Sequence, residues 1–275
     1  MKDRSVRILD ILANNKSIKV TLLAELMDVS QVTLRKDLDD LEKMGIIHRS
    51  HGYASLDGAD DTGKRMAFYY SIKQRIARTA AQTIKDGETV MLESGSCCAL
   101  FAEELALTRK NVTIITNSTF IANYICNFQN IKIILLGGFY QSESQTLVGP
   151  MTINCAESFY AEKLFLGTDG FINEQGFTGS DYFCVETILG LANRARKIYV
   201  LTESAKFNRR GAYNMINLDK VSGVFTDDKI PAAAETELQK NNIQLVKVPA
   251  AEESIQWRQF SGLTPILYKE RKNPD

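Results

Sequence analysis

A chain of 275 residues has room for about two domains at roughly 100–200 residues each. Its 33 basic residues balance its 33 acidic ones, which excludes a uniformly basic protein and confines any nucleic-acid site to a local patch. No apolar run reaches the roughly 20 residues of a membrane span, and five irregularly spaced cysteines make no disulfide scaffold.

The charged start "MKDRSVRILDILANNK" is no secretory signal, so a cytoplasmic protein without a membrane partner is expected. Ile8, Ile11 and Leu12 recur at helical spacing, as do Leu23, Leu26 and Met27. The turn "DVS" follows, with Ser30 as an N-cap. A third helix runs from Gln31 to about Met44, burying Leu34, Leu38 and Leu41, and Gly45 stops it. The stretch "IIHRSHGYASL" reads as two short strands around Gly52. Residues 1–56 are therefore a winged helix-turn-helix candidate.

The third helix carries Gln31, Val32, Thr33, Arg35 and Lys36 on or beside the face opposite Leu34. Asp39 and Asp40 lie further along that outer face, so only its N-terminal turns suit a major groove. Arg35 is chemically matched to guanine, Gln31 to adenine, and Val32 or Thr33 to a thymine methyl. Lys36, with Arg49 and His51 near the wing tip, suits phosphates. The plainer alternative is a solvated helix face.

Residues 57–70, opening on "DGADDTGK", read as a linker. A helix is expected over residues 72–84. Then "TVML", "VTIIT", "IKIILL", "KLFLG", "KIYVL", "VSGVFT" and "IQLVKV" alternate with helical stretches through a second domain, residues 71–250. These runs are apolar throughout, as strands covered on both faces are. The expected class is α/β, a mainly parallel sheet wrapped by helices. Residues 251–275 form a tail.

Ligands in such sheets bind beyond the carboxyl ends of the strands. Five of those ends carry small or polar loops: "ESGS", "TNS", "GG", "TDG" and "ESAK". Candidate ligand-binding residues are Glu93, Ser94, Gly95, Ser96, Cys97, Asn117, Gly137, Gly138, Asp169 and Lys206, with Glu186 on a following helix. The loop before Cys97 resembles a phosphate cradle opening a helix. A tight turn or a redox pair at Cys97 and Cys98 are the alternatives. No Cys/His cluster has zinc spacing, and no serine, histidine and aspartate set suggests a triad. No metal and no cofactor is expected.

The run "VSQVTLRKDLDDLEKMGIIHRSHGYA", followed in order by "ESGSCC", "ITNS", "LLGG", "LGTDGF" and "LTESAKF", resembles the DeoR family of transcriptional regulators over about residues 1–250. The resemblance implies a winged helix-turn-helix joined to a sensor similar in fold to ribose-5-phosphate isomerases and glucosamine-6-phosphate deaminases. It implies a homodimer or homotetramer on a double-stranded DNA operator. It also implies a repressor of a sugar catabolic or transport operon, released by a phosphorylated sugar.

The sequence departs from the family pattern at Tyr53, where the wing usually has a second glycine. It departs again at Glu93 and Glu203, usually aspartates, and at the hydroxyl positions now held by Cys97 and Cys98. Ser94, Gly95 and Ser96 are then expected to hold a phosphate through backbone donors. Glu93 would turn toward a sugar hydroxyl, and the cysteines would pack. Rival readings are an isomerase or deaminase using Asp169, Glu186 and Lys206, and a regulator sensing oxidants through its cysteines.

Overall fold

The computed structural model describes residues 3–15, 17–56 and 62–250. Residues 57–61 of the expected linker and the tail after residue 250 lie outside the described residues.

The chain begins with α1 (Asp3–Asn14), β1 (Ser17–Lys19), α2 (Val20–Met27), α3 (Gln31–Lys43), β2 (His48–Ser50) and β3 (Tyr53–Ser55). Ile8, Leu12, Leu23, Leu34, Leu38 and Leu41 from the three helices are all buried together. The Ser30 hydroxyl accepts the Thr33 N–H at 3.1 Å and caps α3. Gly45, at φ +71°, ends it, and the Ile46 N–H reaches back to the Leu41 carbonyl at 3.0 Å. Asp37 is buried on α3 and is held by the Arg4 guanidinium of α1.

Two features of this unit differ from expectation. β1 adds a third strand, in the order β1-β3-β2, to the expected two. The wing turn consists of His51 (φ +50°) and Gly52 (φ +80°), the positive-φ pair of a primed hairpin turn. Tyr53 therefore lies outside the turn. It starts β3, opposite Lys19, whose ammonium sits 5.8 Å from the Tyr53 ring centre.

The second half continues as α4 (Thr62–Ala67), α5 (Tyr70–Ala81), β4 (Thr89–Leu92), α6 (Ser96–Thr108), β5 (Val112–Thr116) and α7 (Thr119–Tyr124). Next come β6 (Ile131–Leu135), the hairpin β7 (Phe139–Gln141) and β8 (Thr146–Val148), α8 (Pro150–Ala156), β9 (Ala161–Leu166), β10 (Gly170–Ile172) and β11 (Gly176–Gly179). The rest is α9 (Tyr182–Ala192), β12 (Ala195–Leu201), β13 (Tyr213–Asn217), β14 (Gly223–Asp227), α10 (Ala232–Lys240) and β15 (Gln244–Val248).

All seven expected apolar runs form strands of one parallel sheet, ordered β15-β14-β12-β9-β4-β5-β6. From β4 the chain winds outward through β5 to β6. From β9 it winds the other way through β12 and β14 to β15. The β4/β9 boundary is thus a topological switch point, where such sheets open a crevice.

Part of the stretch expected as linker is helical. Met66 and Ala67 of α4 are fully buried in an apolar core that runs without a break from the three-helix unit into α5, α6 and α7. On that face of the sheet, Phe101 packs at a tilt against Phe165 with ring centres 4.3 Å apart, and Phe165 stacks on Tyr199 at 5.3 Å. A second core covers the opposite face.

Phe165 sits at the centre of the aromatic row with no exposed surface. Phe165→Ala should lower unfolding free energy by about 3–5 kcal/mol, read from the denaturant midpoint. A loss below about 1 kcal/mol would show that the row is not a structural keystone.

Candidate DNA interface and effector crevice

On α3, Gln31, Val32, Arg35 and Lys36 are exposed, and Val32 shows 78% of its surface. An apolar side chain that open, at the first turn of a helix, suits contact with a thymine methyl. The Ser30 and Thr33 hydroxyls lie 2.9 Å apart and are engaged with each other and with the cap. His51 is exposed at the wing tip, with Nδ1 2.7 Å from the Ser50 hydroxyl.

Arg49 is placed differently from the expectation of a phosphate contact. Its guanidinium meets Asp39 at 2.5 Å and Glu42 at 2.6 Å, and its backbone N–H donates to Glu42 at 3.0 Å. These bonds hold the Glu42 carboxyl below its usual range. Arg49 therefore fastens the wing to α3, and one of the two outer-face acids is neutralised within the protein.

The crevice at the switch point has a volume of about 990 Å³. Three of the five strand-end loops line it, contributing Glu93 to Cys97, Gly167 to Asp169, and Thr202, Glu203 and Lys206 with the nearby Arg209 and Arg210. These loops follow β4, β9 and β12, the three central strands.

The other two loops follow β5 and β6 and lie outboard. Asn117 is buried and donates to the Leu147 carbonyl at 3.0 Å, tying β5 to the hairpin. Gly138 packs against Thr152 and Val148, and Gly137 is exposed. None of the three lines the crevice. Glu186 is also outside it, exposed on α9, where its hydrogen bond raises the Tyr182 phenol.

Glu93 does not turn toward the ligand space as a free carboxylate. Its Oε2 accepts the Gly95 N–H at 2.8 Å and the Gly167 N–H at 3.0 Å, and the Ser94 hydroxyl donates to Oε1 at 2.7 Å. Gly95 and Gly167 meet backbone to backbone, and a Cβ on Gly95 would come 3.1 Å from the Gly167 Cα. The Gly95 amide is thus spent inside the protein. Beyond it, α6 begins at Ser96 with no side-chain cap. Its first N–H groups have no carbonyl within the helix to bond, and its dipole favours an anion there.

Cations stand beside this helix end. Lys73 of α5 is only 3% exposed. Its Nζ donates to the Ser96 hydroxyl at 3.0 Å and to the Arg65 carbonyl at 2.5 Å, and lies 3.9 Å from Glu203. Burial pushes the Lys73 ammonium down from its usual value, against the pull of Glu203. Lys206 sits 3.8 Å from Asp169, whose other oxygen accepts the Ser180 N–H at 2.8 Å.

The opposite wall is a polar cluster. Gln141 donates to Asp181 at 2.9 Å, and the Ser144 hydroxyl and the Cys184 thiol reach the Gln141 carbonyl at 2.8 and 3.2 Å.

Both adjacent cysteines pack. Cys98 points at the Phe165 carbonyl at 3.6 Å, Cys97 lies 4.0 Å from Glu203, and burial pushes both thiols well up. A redox thiol needs the reverse shift. The acid–base trio of the enzyme reading is not assembled either, because Glu186 faces solvent.

Two family models cover both halves. The DeoR-like helix-turn-helix domain matches residues 4–58, and the DeoR C terminal sensor domain matches residues 69–228. The chain belongs to the DeoR family.

Its relatives within the family include the "HTH-type transcriptional regulator GolR" of Listeria innocua, 30% identical over 84% of this chain and 92% of that one. The "Putative aga operon transcriptional repressor" of Escherichia coli O157:H7 is 28% identical over 90% and 93% of the two chains. The "L-fucose operon activator" of Escherichia coli K12 is 28% identical over 82% and 95%. Among solved structures, ribose 5 phosphate isomerase A from Neisseria gonorrhoeae aligns over 50% of this chain and 53% of its own, with a TM-score of 0.38 and 14% identity.

The most informative residue of this DeoR-family crevice absent from the sequence candidates is Lys73. It left a signal. Tyr70, Lys73, Ile76, Ala77 and Ala80 form the buried stripe of α5, so a lysine stands at a core position of a helix, where an unpaired charge is costly. Arg65, Gln141 and Ser144 left none, because their elements are short, and neither did Asp181 and Cys184 at the start of α9.

The thiol geometry makes a direct prediction. In native protein at neutral pH, iodoacetamide should modify exposed Cys126 while Cys97 and Cys98 stay unmodified until the chain is denatured. Peptide mass analysis reads this. Alkylation of Cys97 or Cys98 at the rate of Cys126 would restore the oxidant-sensing reading.

Proposed function

We propose that this protein is a repressor of a sugar catabolic or transport operon. It binds operator DNA through the first turns of α3 and the wing. It leaves the DNA when a phosphorylated sugar occupies the crevice. The observation that carries this reading is the meeting of an uncapped helix N-terminus with a buried lysine at the switch point. Such a place selects an anion by the dipole and open amides of the helix and by the lysine charge.

The roles follow from position. The phosphate sits against the start of α6, at Ser96 and Cys97, with Lys73 and Lys206 as counter-charges. Asp169 and the Gln141–Asp181 wall offer acceptors for sugar hydroxyls. Glu93 shapes the site by clamping its two glycine loops. The cytoplasm is where such a protein meets both DNA and sugar phosphates. A homodimer or homotetramer presents two winged helices to two half-sites.

The effector binds the state that holds DNA poorly and shifts the population by no more than its differential affinity. No chemical step is required of any residue.

A thermal-shift series with hexose phosphates, pentose phosphates and their unphosphorylated parents tests the site. A ligand at about 100 times its Kd adds about 2.7 kcal/mol to stability. At least one phosphorylated sugar should raise the melting temperature while its parent sugar does not. Lys206→Ala should reduce that shift. An undiminished shift would remove Lys206 from the site. Arg35→Ala should cost about 1–3 kcal/mol of specific DNA binding and leave the thermal shift intact, and unchanged operator affinity would count against the proposed reading face.

A further inference from the structure

The crevice and the recognition helix are joined through a very short path in α4. Thr62 opens that helix and has no exposed surface. Its hydroxyl lies 3.4 Å from the Ser94 carbonyl and 3.3 Å from the Ser144 carbonyl. Ser94 belongs to the loop before α6 and Ser144 to the β7–β8 hairpin, so the two acceptors belong to two separate segments that line the crevice. A hydroxyl has one proton to give. Both distances are at the long end of the hydrogen-bonding range, so neither segment holds it tightly.

The next residue faces the other way. Gly63 lies against the backbone of Gly45 and Ile46, and a Cβ there would meet the Gly45 oxygen at 2.3 Å. Gly45 is the left-handed stop of α3 and the start of the path into the wing. One residue therefore reaches two crevice-lining segments while its neighbour presses on the joint between recognition helix and wing.

Arg65, one turn on, completes the connection. It lines the crevice, its Nη2 donates to the Thr62 hydroxyl at 3.4 Å, and its Nε is buried with no acceptor among the described residues. An anion entering beside it would give that Nε an acceptor.

We propose that Thr62 is the positioning residue through which occupancy of the crevice reaches the recognition helix. Its hydroxyl sets α4 between Ser94 and Ser144, and Gly63 passes that setting to Gly45. The ligand draws the two segments together, the proton commits to one carbonyl, and the seat of α4 on the end of α3 shifts. Close backbone packing at Gly63 leaves no slack to absorb the movement. This inference rests on the effector reading of the crevice. It adds the element that two distinct sites need if each is to bias the other.

Hydrogen–deuterium exchange on the full chain tests it, with glucose 6-phosphate, fructose 6-phosphate and glycerol 3-phosphate each added in turn. In the wild type, a probe that binds should slow amides in residues 94–99 and also alter exchange in residues 41–50 by about threefold or more. Thr62→Val should keep the first response and lose the second, while Thr62→Ser should keep both. A remote response that survives in Thr62→Val, or is lost in Thr62→Ser, would overturn the proposal.

If Thr62→Val fails to fold, Thr62→Ser and the wild type still decide. A wild-type crevice response with none in residues 41–50 sinks the relay alone. No crevice response to any probe removes the effector reading and the relay together.

Discussion

The carboxylate of Glu93 accepts one N–H from the loop after β4 and one from the loop after β9, at 2.8 and 3.0 Å. Those loops belong to the two strands from which the sheet winds in opposite directions. Without a shared acceptor, two amides would be left unbonded beside each other, at a cost of about 1–3 kcal/mol for each buried group. With it, Gly95 and Gly167 approach closely enough to form a continuous floor. α6 then starts at a defined height above that floor. Lys73, Lys206 and the Gln141–Asp181 wall are arranged around the same point. The protein's own carboxylate thus does the structural work of the loop and leaves the helix end beyond it for the proposed phosphate.

Coupling follows from packing more than from distance. The apolar core of the DNA-binding unit is continuous with the layer formed by α5, α6 and α7, so the two halves do not swing on a free tether. Arg49 locks the wing to α3 through Asp39 and Glu42. Recognition helix and wing therefore form one body, and Gly45 is where α4 presses on it. A small change in the crevice has a stiff route to the DNA-reading face, as transmission through close-packed elements requires.

Much of this was legible in the sequence. The seven sheet strands were visible because strands buried on both faces read as unbroken apolar runs. The helix-turn-helix was visible from its helical spacing, Ser30 and Gly45. Strand order was not, because it depends on which crossover turns back. For that reason Asn117, Gly137 and Gly138 looked equivalent to Ser94 and Asp169, although only the central strands open on the crevice. The hairpin β7–β8 and strands β10, β11 and β13 are short, and β10 and β11 carry glycines, so they read as loops. Arg49 looked free because its partners lie on another element. α4 was hidden behind the polar run "DGADDTGK", which masks a buried threonine and glycine.

Occupancy of the crevice by a phosphorylated sugar is proposed to weaken DNA binding. Fluorescence anisotropy of the full chain on the DNA upstream of its own gene measures this most directly, at fixed salt because phosphate contacts make affinity salt-dependent. A phosphosugar which stabilises the protein should weaken DNA affinity by about tenfold or more, within the usual range of coupling between sites, and its unphosphorylated parent should have no effect. DNA affinity unchanged by a phosphosugar that saturates the crevice would contradict it.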